Sequence, residues 1–369
     1  MRVALVSPLF ESVPPRRYGG TERVVYNLCH GLKERGIDVT LFASGDSQAG
    51  VPLVPIVEEA FRLSGRPVRD PAAYHFKMLA EVARRAHEFD VIHNHHDYWM
   101  LPLAKMTGTP ILTTLHGRLD IPELVLPLPE FDGSWFVSIS DSQRSALPGL
   151  PWLGTIHHGI DASNFQFRAE PGKYLAFLGR IDDHKRPEYA IEIAKRSGVP
   201  LKIAAKIEGR EAQAYYDAHV APHVDGSFIE YVGEITESEK SEFLGGALAL
   251  VFPIDWPEPF GLVMLESLAC GTPVLARPRG AAPEVLRSGV TGYVHEDLGV
   301  LAESVRNLDR ISRHECRRWV ETRFSLGRMT EDYVNVYGTL AGVAESRDLH
   351  RGFRRAGPDR HRRHFVHSI

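Results

Sequence analysis

Cysteine is scarce: Cys29, Cys270 and Cys316 are the only three in 369 residues. An odd, scattered set without metal-ligand spacing argues against a disulfide framework and suits a reducing compartment. Long apolar runs are missing as well. No stretch approaches the roughly 18 residues of a membrane-spanning helix, and the opening MRVALVSPLF is too short for a signal-peptide core. Charge of one sign is not in excess, since 43 basic against 47 acidic residues leave a net charge of -4 and no global attraction to nucleic acid. With 43% hydrophobic residues, disorder as the main state is excluded too. The expected location is the cytoplasm.

What is present is alternation. Short apolar runs exchange with helical patterns, the signature of parallel βαβ units covered on both faces. Val3 to Phe10 reads as a first strand, and Glu22 to Arg35 places Val24, Val25, Leu28 and Leu32 on one helical face before Gly36. VTLFA, VIHNH, ILTTLH and WFVSIS read as further strands. A second series follows Ala169 to Lys173 with YLAFLG, LKIAAK, FIEYV, ALALVF and PVLA. The fold class is therefore α/β, with two doubly wound halves: an N-terminal one over 1–165 and a C-terminal one over 166–324. A helical segment in 325–345, carrying Tyr333, Val336, Tyr337 and Leu340 at helical spacing, is expected to return to the first half. The Arg- and His-rich 346–369 reads as a solvated tail, with contact at a membrane surface as the alternative.

Two facing doubly wound halves create a cleft at the carboxyl ends of their strands. The segment DWPEPFGLVMLESLACG suits that place. Pro257 and Pro259 stiffen the loop around Glu258, and the N–H groups of Gly261, Leu262 and Val263 open a helix toward an anion. Glu266 lies eight positions after Glu258, further along the same segment. In LGRIDDHKRPE, Arg180 ends a strand and Lys185 precedes a helix that Pro187 can start, so two cations stand where a diphosphate could be neutralised. Gly19 and Gly20 precede the first helix, where backbone can approach a ligand, with Glu22 in the first turn. No Gly-x-Gly-x-x-Gly fingerprint is present, which discounts a dinucleotide dehydrogenase. His93, His95, His96 and Asp97 have the look of metal ligands, but strand alternation divides the histidines and no partner cluster completes a site. His116 stands at the carboxyl end of ILTTLH, facing the cleft by ring or carbonyl.

Taken together, EPFGLVMLESLACGTPVLA, LGRIDDHK, YGGTERVVYNL, TLHG, SISDSQR and HHGID resemble, in this order, the retaining nucleotide-sugar glycosyltransferases of family 4. The likeness spans about residues 1 to 345 and is most specific at the E-x7-E segment. It implies the GT-B architecture: two Rossmann-like domains, the donor held by the C-terminal one and the acceptor by the N-terminal one, with no metal requirement. Position by position, it assigns the donor diphosphate to Arg180 and Lys185, the transferred sugar to Glu258, the ribose to Glu266 and the reaction centre to His116. The Gly20 loop with Leu262 and Val263 would complete the anion site. Lys206 and Ile207, with Val232 among Tyr231 to Gly233, would wall the nucleobase. Arg16, Arg17 and Tyr18 and the segment Gly117 to Asp132 would line the acceptor side.

Two departures are visible: His158 stands where the family more usually has Asn, and Lys185-Arg186 replaces the common Lys-Gly. The expected substrates are a nucleotide-diphosphate sugar and an acceptor hydroxyl of unspecified kind, without a cofactor. The absence of an Asp-x-Asp pair on a suitable loop agrees with cationic rather than metal neutralisation. A binding subunit without transfer activity and a nucleotide-sugar epimerase are the rival readings; a phosphorylase would need a pyridoxal-phosphate lysine that nothing in the sequence announces.

Overall fold

The computed structural model describes residues 1–355 except 17, 18, 63, 66, 67, 126, 127 and 132, with side chains of the last helix described as far as 342. Arg17, Tyr18 and Asp132 of the expected acceptor lining, and the tail from 356 on, thus lie outside the described residues.

Two parallel sheets organise the chain. The first contains β1 (Arg2–Val6), β2 (Asp38–Ser44), β3 (Leu53–Val57), β4 (Val91–Asn94), β5 (Ile111–Thr114), β6 (Ser134–Ser138) and β7 (Trp152–Thr155), in the order β3-β2-β1-β4-β5-β6-β7. The second contains β8 (Leu175–Arg180), β9 (Leu201–Lys206), β10 (Ile229–Gly233), β11 (Ala249–Phe252), β12 (Val274–Ala276) and β13 (Gly292–Val294), in the order β10-β9-β8-β11-β12-β13. The two Rossmann-like folds explain the unbroken apolar runs: β1, β4, β5 and β11 are buried along nearly their whole length, with helices on both faces.

The first strand is shorter than its apolar run. It ends at Val6, and Phe10 leaves the sheet to become exposed. The short edge strands β3, β7 and β13 have no clear pattern in the sequence, because edge residues are only half-covered. Among the helices, α1 (Gly20–Glu34) buries Val24, Val25, Leu28 and Leu32 and is followed by Gly36 at φ 71°. The next, α2 (Ala72–Arg85), buries His75, Met78 and Val82 but turns Tyr74 and Phe76 outward.

Further along are α3 (Asp141–Ser145), α4 (Pro187–Ser197), α5 (Glu237–Gly245), α6 (Leu262–Ala269) and α7 (Ala282–Val285). The last helix, α8 (Leu326–Arg355), runs past residue 345, where only a tail was expected. Its Met329, Tyr333, Tyr337 and Leu340 enter the core of the first sheet beside Leu28 and Leu32. Chain return is fixed at Ile160, whose amide donates to the Phe324 carbonyl and whose carbonyl accepts from Leu326. No helix among the described residues is long and apolar enough to cross a membrane.

Candidate functional site

Strand order reverses at β1/β4 in the first sheet and at β8/β11 in the second, and crevices open at such switch points. The loops after all four strands meet in one cleft of about 450 Å³. Its walls carry Gly19, Gly20 and Glu22 after β1, Asp97 after β4, Arg180 and Lys185 after β8, and Trp256 to Val263 after β11.

The loop after β11 is held from beneath. Gly280 sits at φ 55°, and a Cβ there would lie 2.1 Å from the Glu258 carbonyl oxygen, so a side chain would displace the loop. Gly261 caps α6 in the left-handed region, φ 82° and ψ 66°, leaving the first amides of the helix directed to the cleft. Glu258 accepts from Trp256 Nε1 at 2.7 Å and forms an ion pair with Lys185, whose ammonium also lies 5.0 Å from the Trp256 ring. Glu266 is buried on α6 and pairs with Lys240 at 2.8 Å. Lys240 also meets Glu237 at 2.9 Å, and Glu237 reaches Arg23 of α1 at 3.2 Å across the cleft. Burial lowers the Lys240 pKa, but the Glu266 and Glu237 carboxylates outweigh it and leave the value raised.

Arg180 pairs with Asp182 at 3.2 Å, and Lys206 with Glu208 at 3.2 Å. Arg186, at the residue where Gly is common in the resembling family, adopts φ 51° and ψ 54° as N-cap of α4. Glycine accepts that backbone freely, whereas arginine is strained there.

On the opposite wall, the turn carrying His116 is clamped by Gln143, whose Nε2 donates to the Leu115 and Gly117 carbonyls at 2.9 and 2.8 Å. His116 Nε2 shares a hydrogen bond of 2.9 Å with His95 Nδ1, and its ring stacks at 5.3 Å on His158. His158 in turn packs 4.8 Å from Phe260. Burial holds His116 down to about 3, and burial reinforced by neighbouring imidazoles holds His95 and His158 well below the ordinary histidine range, so this stack is neutral at physiological pH. His96 pairs instead with His75 at 2.8 Å, and His93 with Tyr337 and Thr114. No group of three or more His, Cys, Asp or Glu side chains among the described residues is placed to hold a metal ion.

Comparison with known proteins agrees with this geometry. The Glycosyltransferase Family 4 model matches residues 18–163, and the model for glycosyl transferases group 1 matches 160–321. Together they cover both sheets except β1. The chain belongs to glycosyltransferase family 4. Glycogen synthase of Mycobacterium tuberculosis is 27% identical to this glycosyltransferase over 84% of the chain and 86% of its own length. D-inositol 3-phosphate glycosyltransferase of Mycolicibacterium smegmatis is 25% identical over 79% of each. Among solved structures, AviGT4, a glycosyltransferase involved in avilamycin A biosynthesis, shares the fold with a TM-score of 0.71 at 23% identity, covering 92% of this chain and 98% of that one. Anabaena Alr3699/HepE in complex with UDP and glucose has a TM-score of 0.72 at 15% identity, over 92% and 100%.

In this glycosyltransferase the cleft brings together His116, Glu258, Arg180, Lys185, Gly19, Gly20, Lys206, Gly261, Leu262, Val263 and Glu266. Ile207 and Val232 are not part of that wall: Ile207 packs on the C-terminal core and Val232 sits at a register shift of β10, while Glu234 and Ile235 line the cleft instead. Among the described residues from Gly117 to Asp132 only Gly117 reaches it, because Leu119 and Leu128 are buried in a small satellite core. Arg16 lies outside the lining and faces Asp46 at 3.9 Å.

Sequence reasoning missed Lys240, Gln143 and Glu284. Glu284, on α7, accepts from the Asp141 and Ser142 amides at the start of α3 and from His157, tying the SISDSQR and HHGID segments to the C-terminal half. The common partner of those two segments lies far off in the sequence, where spacing gives no sign of it.

Proposed function

We propose that this glycosyltransferase moves a sugar from a nucleotide-diphosphate sugar to an acceptor hydroxyl, with retention of anomeric configuration and without a metal ion. The carrying observation is the convergence of Arg180, Lys185 and the amides opening α6 on one cleft. These groups can meet the charge that develops on a departing diphosphate, and all are fixed before reaction. Glu258, held by Lys185 and Trp256, is suited to accept from hydroxyls of the transferred sugar, and Glu266 from a ribose. His116 stands as a neutral imidazole across from them, against the acceptor side.

Retention is best served by front-face attack of the acceptor hydroxyl on an oxocarbenium-like centre, with the leaving diphosphate oxygen taking its proton. A glycosidase-like double displacement would need a carboxylate nucleophile at the anomeric carbon; Glu258, the carboxylate matched to the transferred sugar, is committed to an ion pair and an indole N–H. The fold shared with a protein that binds UDP and glucose supports a nucleotide-sugar donor.

Thermal-shift screening with UDP-, GDP-, ADP- and TDP-sugars identifies the donor, because a ligand bound only to the folded state stabilises it. NMR of the product then reads the anomeric configuration. An inverted product, or transfer abolished by EDTA and restored by Mn²⁺ or Mg²⁺, would overturn the corresponding part of the proposal.

A further inference from the structure

One feature of the cleft plays no part in holding the donor groups described above. Phe10, Phe61, Tyr74, Phe76, Tyr98 and Trp99 form a continuous aromatic wall on the N-terminal half. Phe10 lies 5.7 Å from Phe61, which lies 5.5 Å from Tyr74; Trp99 lies 6.1 Å from Phe76 and 5.6 Å from Tyr98. The two groups are joined through the His75 ring, 6.0 Å from Phe10 and 4.6 Å from Trp99. At its inner end Phe10 and Trp99 line the cleft itself; at its outer end Phe76 is 62% exposed. Phe10, Tyr74, Phe76 and Tyr98 are all the exposed aromatic side chains among the described residues. Four such rings gathered in one patch that runs into a cleft mark a ligand surface rather than scattered exposure.

We propose that this wall is the acceptor platform and that the acceptor is a neutral saccharide of more than one unit, its sugar rings stacking in succession on these aromatic faces. The proposal rests on the glycosyltransferase reading and adds the chemical class of the second substrate. Sugar rings present C–H groups on their faces and hydroxyls at their edges, so they suit aromatic faces flanked by hydrogen-bonding groups. Such a group is present: Asp97, beside Tyr98, sits in the cleft wall at φ 45°, a strained backbone for a residue other than glycine. Burial lifts the pKa of its carboxyl to about 6, opposed by a hydrogen bond from the His116 main chain. Glu22 lies on the same cleft, and Arg62, the basic side chain next to Phe61, is already paired with Glu11 and Glu208, so it offers no free cation to a phosphorylated acceptor. An anionic membrane is disfavoured as well, because the segment 58–77 and Asp97 carry acids and bases in equal number.

The test is calorimetry of the full chain with a panel of linear neutral oligosaccharides, α- and β-linked, and with the matching monosaccharides. The double variant Tyr74→Ala/Phe76→Ala changes only exposed side chains, and its thermal unfolding reports that it is folded. At least one oligosaccharide should bind, its monosaccharide at least tenfold more weakly, and the double variant should lose roughly tenfold in affinity for the chain. Absence of binding across the panel, equal affinity of wild type and variant, or co-sedimentation of the wild type with anionic vesicles in place of saccharide binding would each overturn the platform. Failure of the donor reading is read separately, as absence of nucleoside-diphosphate binding.

Discussion

The Lys185 ammonium is bonded to the Glu258 carboxylate, so the groups assigned to the diphosphate and to the transferred sugar are partners of each other. Both side chains are nearly buried, 10% and 12% exposed. Removing one therefore changes the other. Lys185→Ala should weaken nucleoside-diphosphate binding and slow transfer, at a cost of about 2–4 kcal/mol in transition-state stabilisation. It should also lower the unfolding temperature, because Glu258 is left charged and unpaired. Glu258→Gln should behave in the opposite way toward the free nucleotide: affinity is kept or rises as Lys185 is released, while turnover falls. Calorimetry beside donor-titrated kinetics separates the two, and equal loss of nucleotide affinity in both variants contradicts the assignment.

Glu266 has a different partner and should give a different pattern. Its carboxylate is bonded to Lys240, and through Glu237 to Arg23 on the other wall. Glu266→Ala should weaken donor and free nucleoside diphosphate alike, by about 1–3 kcal/mol for a lost hydrogen bond to a charged group. Lys240→Met should produce a smaller loss in the same direction, by misplacing Glu266. A Lys240→Met enzyme with unchanged nucleotide affinity would show that Glu266 needs no such support.

Arg186 offers a test of backbone strain alone. Its φ of 51° favours glycine, while its guanidinium reaches Asp255 and Glu188, both at 3.4 Å. Both substitutions, to Ala and to Gly, delete those part-exposed ion pairs, so the difference between them isolates the backbone. Arg186→Gly should be more stable than Arg186→Ala by about 1 kcal/mol. Chemical denaturation of the pair checks this, and equal stability would mean that the left-handed conformation carries no cost at this site.

These contrasts also show what was legible beforehand. Two α/β halves follow from apolar runs that resist period-two alternation, and Arg180, Lys185, Glu258 and Gly261 follow from placing charge and glycine at strand ends. Such signals are local. Lys240, Gln143 and Glu284 act on residues between 26 and 143 positions away, and only the folded chain brings them together. Ile207 and Val232 stay outside the cleft lining for a related reason: a strand-end residue can face either side, and β10 shifts its register at Tyr231/Gly233. The aromatic wall escaped because it joins a loop after β1, a loop after β3, the helix α2 and a turn after β4, four segments that are each unremarkable in isolation.

Glu22 provides a pH signature. It lies in the first turn of α1, and burial lifts its pKa from 4.5 to about 7, with the Glu11 carboxylate adding to the rise and Arg62 opposing it. Below about pH 4.5 the group is protonated in folded and unfolded chains alike and has no effect. Between that pH and about 7 the unfolded chain ionises first and binds fewer protons, so stability falls as pH rises; above about 7 the penalty is constant. The full span amounts to about 3 kcal/mol at most. Glu22→Gln cannot ionise, so its advantage over the wild type should grow from pH 5 to pH 7 and then level off. Urea unfolding of both proteins from pH 5 to pH 9 gives the difference directly. Parallel profiles through that window would mean that Glu22 is ionised in the fold at no cost, with a cation close enough to compensate its burial.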